Sequence, residues 1–419
     1  MGGARPVSRP TTTVSAFLHP FARPAAVPGD FINIVRGEGA AIFDDTGKRY
    51  VDGMASLWYC NVGHGRRQIA EAVSAQMITL EAYNTFDIFT NEPVEQLAGE
   101  LAALAPMPDA RVFFTSGGSE SVDTAMKLAR VAQVQAGHPE RTVIISRVQS
   151  YHGVNYGGMA ATGLPLNQAG FGTMLSDVVQ VPQHDLDALG AACAQHGGRV
   201  AAIISEPVQG AGGVHPPLPG YLQGMRALAD QHGAYLIFDE VICGFGRLGS
   251  FWGAQHYDVT PDLVTFAKGV TSGYIPLGGV LVGPAVRAAL ESDATFMLRH
   301  GFTYSGHPSA CAAALANLAI MHDERLVERA APIGDRLAAG LHGLARAGHV
   351  ADVRGVGAVW AVGLNEGVNP MAVRATMLAH GAIARPIPPS TIAFCPPLVI
   401  DDNDIDTLVG ALAAAVTVP

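Results

Sequence analysis

Two charged residues, Asp239 and Lys268, could do chemistry together because each one follows a short apolar run. Residues 235–238 precede Asp239, and residues 263–267 precede Lys268. Short apolar runs that stop at turn residues are typical of buried strands in a parallel sheet. Because ligands gather at the carboxyl ends of such strands, we expect both side chains to point into one crevice.

A carboxylate and an amine in one crevice would suit a cofactor that carries a basic ring nitrogen and an aldehyde. Asp239 would keep the ring nitrogen protonated. Lys268, with its pKa lowered by loss of hydration, would form a Schiff base. Pyridoxal 5'-phosphate enzymes have this arrangement. The alternative is that both residues are strand-end charges that simply reach solvent, since burying either one alone is costly.

A glycine-rich turn earlier in the chain could bind the phosphate of such a cofactor. Residues 111–115 predict a strand, which leads through Ser116-Gly117-Gly118-Ser119 into a helix. The glycines let the backbone approach an anion, and the free N–H groups and the helix dipole favour it. Ser119 can add a hydroxyl. The turn does not match GxxxxGK[ST], so a nucleoside triphosphate is not indicated.

Two more predicted strands end at residues with suitable side chains. The predicted strand 142–146 leads to Tyr151-His152-Gly153. Tyr151 could stack on a flat ring, and the alternative is a tyrosine that fills the core. The predicted strand 200–205 ends in Glu206, so a third acidic group follows a strand.

Composition bounds the size and the partners of the protein. A chain of 419 residues is long enough for a large domain and a smaller one. Charged residues make up only 15%, so we expect much surface to be buried, in part between subunits. The net charge of 26 − 36 = −10 argues against a nucleic-acid partner.

The five cysteines are scattered and form no CxxC pair, which predicts reduced thiols in the cytoplasm and no zinc site. The sequence contains no HExxH motif, so it does not indicate another kind of metal site either. The first residues lack the apolar core of a signal peptide, and no apolar window reaches the ~18 residues of a membrane span. We therefore predict a cytoplasmic protein that binds neither a membrane nor a metal.

The elements that must position these residues follow from periodicity and turn residues. We predict an extended arm at 1–30, a hairpin at 40–52 and aromatic loops at 54–65 and 83–91. The predicted helices are 66–81, 93–104, 221–232, 333–346 and 371–380, one that begins at Pro308 and one from Asp404. Further strands are predicted at 278–282, 353–364 and 392–395. Strand–helix alternation through 111–283 predicts an α/β fold with a mainly parallel sheet.

Several motifs, in this order, resemble those of the class III aminotransferases, which act on ω-amino acids and amines with pyridoxal phosphate. They are SGGSESVDTAMKLAR, YHG, EPVQGAGG, DEVICGFGR, AKG and GFTYSGHP. The interval from Asp239 to Lys268, 268 − 239 = 29 residues, is also similar. The resemblance implies a fold-type I transferase with a large domain, residues 57–310, around a sheet of the seven-stranded type. Residues 1–56 and 311–419 would form a smaller α/β domain.

The resemblance also implies roles for single residues. Lys268 would be the catalytic Schiff-base lysine and proton carrier, and Asp239 would pair with the ring nitrogen. The implied cofactor-binding set is Gly118, Ser119, Tyr151, His152, Glu206, Asp239, Val241, Lys268 and Thr303. Thr303 is similar to a residue that reaches the phosphate of the neighbouring subunit, so the resemblance implies a homodimer or a dimer of dimers with shared active sites. For Glu206, a structural role near the cofactor is the alternative.

Substrate preference depends on a departure from part of the family. Relatives that use 2-oxoglutarate, such as ornithine aminotransferase, carry an arginine where Ala393 stands here. Arg385 is similar instead to the mobile arginine of ω-amino acid:pyruvate enzymes, and Trp58 and Phe86, with Tyr151, would line the substrate pocket. The resemblance thus implies ping-pong transamination from an ω-amino acid or primary amine to pyruvate, which gives alanine.

Other functions stay open at this point. A relative with another acceptor, such as 2-oxoglutarate, and an aminomutase or decarboxylase of the same fold would share the cofactor chemistry. A dinucleotide-dependent oxidoreductase is disfavoured, because Gly355-x-Gly357 is a poor match to GxGxxG. A non-catalytic protein is disfavoured because the chain keeps both Lys268 and Asp239.

Overall fold

The computed structural model describes residues 15–417 of the chain. The predicted extended arm, residues 1–30, therefore lies in part outside the described residues. Its described part forms turns and a 3-10 turn at Pro28–Asp30, so the extended conformation predicted there is wrong. Among the described residues, no helix combines the length and the apolar character needed to cross a membrane.

The strands within residues 15–417 are, in chain order, β1 (Ile34–Glu38), β2 (Ala41–Asp44), β3 (Arg49–Asp52), β4 (Arg111–Thr115), β5 (Val143–Arg147), β6 (Val178–Val181), β7 (Val200–Ser205), β8 (Tyr235–Asp239), β9 (Leu263–Phe266), β10 (Gly278–Val282), β11 (Asp352–Val356), β12 (Val359–Gly363), β13 (Ala382–Ile383), β14 (Arg385–Ile387) and β15 (Thr391–Phe394).

The helices are α1 (Ala55–Trp58), α2 (Arg67–Thr79), α3 (Glu92–Leu104), α4 (Gly118–Gln135), α5 (Tyr156–Ala161), α6 (Pro165–Gln168), α7 (Leu186–His196), α8 (Tyr221–His232), α9 (Gly253–His256), α10 (Pro284–Leu290), α11 (Pro308–Asp323), α12 (Leu326–Arg346), α13 (Pro370–Ala379) and α14 (Asp402–Val416).

The largest sheet has seven strands in the order β4-β10-β9-β8-β7-β5-β6. All pairs are parallel except those of β10, which runs antiparallel to both β4 and β9. β5, β7 and β9 are buried along their whole length, as strands covered by helices on both faces must be. The predicted mainly parallel sheet is confirmed, and the carboxyl ends of β8 and β9 lie side by side.

Helix α4 covers one face of this sheet. Its predicted apolar face, Val122, Ala125, Met126 and Ala129, is buried and packs with residues of the central strands, such as Ile237. Helix periodicity places these residues on one stripe. Two residues separate α4 from the end of β4, so the first residues of the helix lie at the edge of the sheet where β4 ends.

Two smaller sheets come from the two ends of the chain. The first has the order β1-β2-β3-β13, and it contains the predicted hairpin as β2 and β3. Because β13 pairs with β3, residues 382–383 join the N-terminal sheet. The second sheet is antiparallel in the order β11-β12-β15-β14. The division into a large domain at 57–310 and a small domain from both ends stays a prediction.

Three predicted elements need correction. Residues 353–364, predicted as one strand, form two strands, because Gly357 has a φ of +53° and turns the chain back. The predicted loop 54–65 contains the short, distorted helix α1. Helix α12 begins at Leu326 rather than at residue 333, since Pro332 is tolerated inside it despite its missing N–H.

A buried arginine joins three distant parts of the chain. Arg247 lies between β8 and β9 and is fully buried. Its guanidinium donates to the Asn61 side-chain oxygen at 2.7 Å, to the Pro396 carbonyl at 2.6 Å and to the Ala358 carbonyl at 3.3 Å. The sheet β11-β12-β15-β14 and the segment after α1 are thereby held against the loop that follows Asp239.

Candidate active site

Lys268 follows β9 at the carboxyl edge of the main sheet. Its φ is +49°, a left-handed conformation that few side chains adopt and that is typical of functional sites. Loss of hydration lowers the pKa of its amine, and the charges of Asp239 and Glu206 partly oppose that effect. The structure places Lys268 within electrostatic reach of Asp239 and Glu206, at the edge where β8 and β9 end, and the shared crevice stays a prediction.

Asp239 ends β8 and is held by three hydrogen bonds. One carboxylate oxygen accepts from the Thr265 hydroxyl at 3.0 Å and from the Val241 amide at 3.2 Å. The other oxygen lies 2.8 Å from His152 Nδ1. A carboxylate has about four lone-pair positions, so one remains for a further donor. Asp239 is 4% exposed, and this shell fixes its direction.

Glu206, which follows β7, is buried behind Tyr151. One carboxylate oxygen accepts from the Tyr151 amide and the other from the Gly210 amide, each at 2.9 Å. Burial is the main cause that raises the pKa of Glu206 to about 7. The contacts show Glu206 positioning the backbone at Tyr151. The buried Arg147 in turn donates to the Glu206 carbonyl at 2.7 Å.

Tyr151 lies within electrostatic reach of Asp239, Glu206 and Arg385. Burial and then the Asp239 charge raise the pKa of its phenol, whereas the Arg385 charge lowers it. Arg385 begins β14 and pairs in register with Ala393 of β15. Side chains opposite each other in an antiparallel pair share one face of the sheet. Arg385 is thus the direct neighbour of the position that lacks an arginine.

The N-terminus of α4 lies where the sequence predicts an anion cradle. The first amides of a helix, here those of Gly118 and Ser119, have no partner within the helix. A Cβ on Gly118 would lie 2.9 Å from Val241, and one on Gly153 would lie 2.6 Å from the Ser119 hydroxyl oxygen. The cradle is therefore closed around small residues, next to the loop that follows Asp239.

The remaining predicted residues lie in two other surroundings. Trp58 is 4% exposed and packs in an apolar cluster with Ile242 and Ala393. Phe86 and Thr303 are exposed, on two loops joined by a hydrogen bond from the Thr85 hydroxyl to the Ser305 carbonyl. Within residues 15–417 the Thr303 hydroxyl makes no hydrogen bond. Neither Phe86 nor Thr303 is among the residues that bond to Asp239 in this chain.

Sequence reasoning missed three residues that hold the site. Thr265 is paired in register with Asp239, and a lone hydroxyl in an apolar strand could have indicated it. Thr162 accepts the amide of His152 at 2.9 Å, and Arg147 holds Glu206. No local pattern marks these last two, because their partners are distant in sequence.

The arrangement fits pyridoxal phosphate. The charge of Asp239 acts on the pKa of the Lys268 amine, yet within residues 15–417 this amine makes no hydrogen bond or ion pair. The free lone-pair position on Asp239 suits a protonated ring nitrogen as its donor. His152 Nε2 is buried without a partner among the described residues. The helix N-terminus of α4 suits the phosphate.

Comparison with known proteins identifies the family. The model of the family Aminotransferase class-III matches residues 24–416. This chain belongs to the class-III aminotransferases. It is 37% identical to a Beta-alanine--pyruvate aminotransferase of Pseudomonas aeruginosa over 91% of both chains. It is 35% identical to a Diaminobutyrate--2-oxoglutarate transaminase of Halomonas elongata, over 97% of this chain and 94% of that one.

Solved structures show the same fold for this class-III aminotransferase. An (S)-enantioselective omega-transaminase from Thermomicrobium roseum superposes with a TM-score of 0.90, at 40% identity over 95% of both chains. A PLP-bound amine transaminase from an uncultivated Pseudomonas species also gives 0.90, at 37% identity over 96% of this chain and 98% of that one. The fold-type I architecture implied by the motifs is confirmed.

Proposed function

We propose that this class-III aminotransferase moves an amino group from an ω-amino acid or primary amine to pyruvate in two half-reactions at one site. The assignment of pyruvate as the acceptor rests on one observation, the pairing of Ala393 with Arg385 in register. A fixed arginine at Ala393 would hold the second carboxylate of 2-oxoglutarate in a charge-assisted bond. At this pair the sheet instead offers one arginine, Arg385, which suits an acceptor with one carboxylate.

The chain's own residues then divide the work. With pyridoxal phosphate bound, Asp239 would hold a proton on the ring nitrogen, Gly118 and Ser119 would bind the phosphate, and Tyr151 and Val241 would contact the ring. When bound, pyridoxal phosphate supplies an electron-accepting ring for the carbon that loses its proton. The Lys268 amine, whose lowered pKa increases its neutral fraction, takes that proton from the donor carbon and returns one in the second half-reaction.

Two proposed contributions come from a second subunit. Phe86 and Thr303 are exposed on joined loops, which supports their placement in the site of a neighbouring copy. We propose a homodimer, alone or as a dimer of dimers, in which Thr303 reaches the phosphate and Phe86 joins Trp58, Tyr151 and Arg385 around the donor. A monomer in sedimentation analysis would contradict this assembly. The cytoplasmic location stays a prediction from cysteine usage.

The proposal is tested by a donor and acceptor screen that follows alanine. We expect alanine in equal amount to the donor consumed, with pyruvate preferred to 2-oxoglutarate by at least tenfold in kcat/KM. Lys268→Ala should lose the activity by several orders of magnitude, because no other described amine reaches the crevice centre. Glutamate formation from 2-oxoglutarate at a comparable rate would contradict the proposed acceptor. An absence of alanine with every amine would favour a mutase or decarboxylase.

A further inference from the structure

A second cavity, of about 290 Å³, lies beside Arg385. Most of its wall is apolar, from β1, β2 and α13, and includes Ile34, Ile42 and Leu378. A cavity of about 150 Å³ is large enough for benzene, so this one has room for an aliphatic chain of several carbons. Its two cationic lining residues are Arg374 and Arg385.

Arg374 has no partner that explains its position. It lies on α13 one turn before Leu378, so both side chains face the cavity. Its Nε is buried without a hydrogen bond among the described residues, and within 15–417 its guanidinium makes no ion pair. Other arginines, such as Arg49, which pairs with Asp404 at 2.8 Å, do have carboxylate partners. The Arg374 guanidinium therefore has hydrogen-bond donors to offer an anion in the cavity.

Arg385 links this cavity electrostatically to Tyr151. It lines the cavity and also acts on the pKa of Tyr151. The charge of Arg374 reaches Arg385 and contributes, after loss of hydration, to a lowered pKa of its guanidinium. Two like charges that face one cavity repel each other, and an anion between or beside them removes that repulsion. The cavity thus has an apolar wall and a cationic end, and Arg385 at that end lies within electrostatic reach of Tyr151.

We propose that this cavity binds the distal end of a long ω-amino acid donor, with the methylene chain against the apolar wall and the terminal carboxylate on Arg374. The inference rests on the proposed function and narrows its donor class. A short donor such as β-alanine would place its carboxylate on Arg385 alone. A longer chain passes Arg385 and reaches Arg374, so Arg374 determines specificity without touching the reacting atoms.

The test compares carboxylate donors with neutral amines of the same length. We measure kcat and KM of the wild type, Arg374→Gln and Arg374→Lys with 8-aminooctanoate, octylamine, β-alanine and propylamine. A charge-assisted bond is strong enough that its loss should cost tenfold or more. We expect Arg374→Gln to lower the 8-aminooctanoate to octylamine ratio of kcat/KM at least tenfold, mainly through KM. The ratio of kcat/KM for β-alanine to that for propylamine should change far less. Arg374→Lys should restore part of the 8-aminooctanoate to octylamine ratio.

A matched control and a binding measurement make the outcome decisive. Arg67→Gln removes one exposed positive charge elsewhere and should leave both ratios unchanged. Calorimetry with octanoate on the purified enzyme should show binding that Arg374→Gln weakens at least tenfold. If Arg374→Gln lowered kcat/KM equally for all four donors, or left octanoate binding unchanged, the proposal would be overturned. If no donor yields alanine, the proposed function fails, and the octanoate result still decides the carboxylate site.

Discussion

At the residue scale, the titration of Glu206 makes the stability of the fold depend on pH. Its carboxyl has a pKa of about 7, against an ordinary value of 4.5, and burial is the main cause. Between these pH values the folded protein keeps a proton that the unfolded chain has released. Stability therefore falls as the pH rises from 4.5 to 7, by an amount on the order of 3 kcal/mol for the full shift.

Glu206→Gln should remove the part of the pH dependence that Glu206 contributes, because the amide does not titrate, whereas the buried Glu240, with a pKa also raised to about 7, keeps its own part. We expect its free energy of unfolding to fall less than that of the wild type between about pH 5 and about pH 7.5. The difference should be on the order of 2 kcal/mol. Urea unfolding followed by tryptophan fluorescence measures it, and Glu71→Gln, at an exposed position, is the control. If Glu206→Gln and the wild type lose stability equally, Glu206 does not titrate in this range.

Residues at strand ends could be predicted from sequence, and the residues that hold them could not. Asp239, Lys268 and Gly118 each follow an apolar run, so topology alone brings them together. Arg147 holds the Glu206 carbonyl from another strand, and such a contact depends on strand order. Thr303 and Phe86 need a second copy of the chain, so their roles stay predictions.

At the scale of elements, Gly153 packs against the first turn of α4, where the anion cradle is predicted. Gly153 has a φ of +103°, and an added Cβ would lie 2.6 Å from the Ser119 hydroxyl oxygen and 2.8 Å from its Cα. The backbone of α4 would have to move away. Glycine is needed here for conformation and for space, whereas a turn such as Gly137 needs it for conformation alone.

Gly153→Ala should weaken cofactor binding, and Gly137→Ala should not. Gly137 has a φ of +87° and nothing within 4 Å of an added Cβ, so alanine there costs about 1–2 kcal/mol of backbone strain only. We expect a similar strain from Gly153→Ala, together with a tenfold or larger rise in the dissociation constant of pyridoxal phosphate. Equilibrium dialysis measures that constant. Equal constants for the two variants would show that the contact does not position the cradle.

Element type was easier to predict than element boundaries. The strands at 111–115, 200–205 and 278–282 match the prediction, because turn residues flank each apolar run. The hairpin of β11 and β12 was missed, since Gly357 lies inside a continuous apolar stretch. The antiparallel direction of β10 was also not predictable, because periodicity carries no information on strand direction.

At the scale of the whole molecule, Arg247 joins regions that are far apart in sequence. Its three acceptors, on Asn61, Ala358 and Pro396, lie in segments contributed by both ends of the chain. Each is buried, and a buried acceptor without a donor costs about 1–3 kcal/mol. The side chain therefore couples the active-site loop to the C-terminal sheet.

Arg247→Met should lower the free energy of unfolding by about 3 kcal/mol or more, since three acceptors lose their donor. Arg336→Met is the matched control, because Arg336 pairs with Asp402 and Asp406 at a side-chain exposure of 40%. Such surface pairs contribute about 1 kcal/mol or less. Urea unfolding measures both variants. A loss for Arg247→Met no larger than that of the control would show that Arg247 does not hold these regions together.

The insertion of β10 next to β4 has a consequence for biosynthesis. β4 lies at the edge of its sheet, and its neighbour there is β10, which leaves the ribosome long after it. In a nascent chain that has not yet reached Val282, β4 lacks β10, its strand partner in this sheet, so its β10-facing edge is unpaired. We therefore expect capture of the cofactor to be post-translational or nearly so, and early contact with a chaperone to protect that edge.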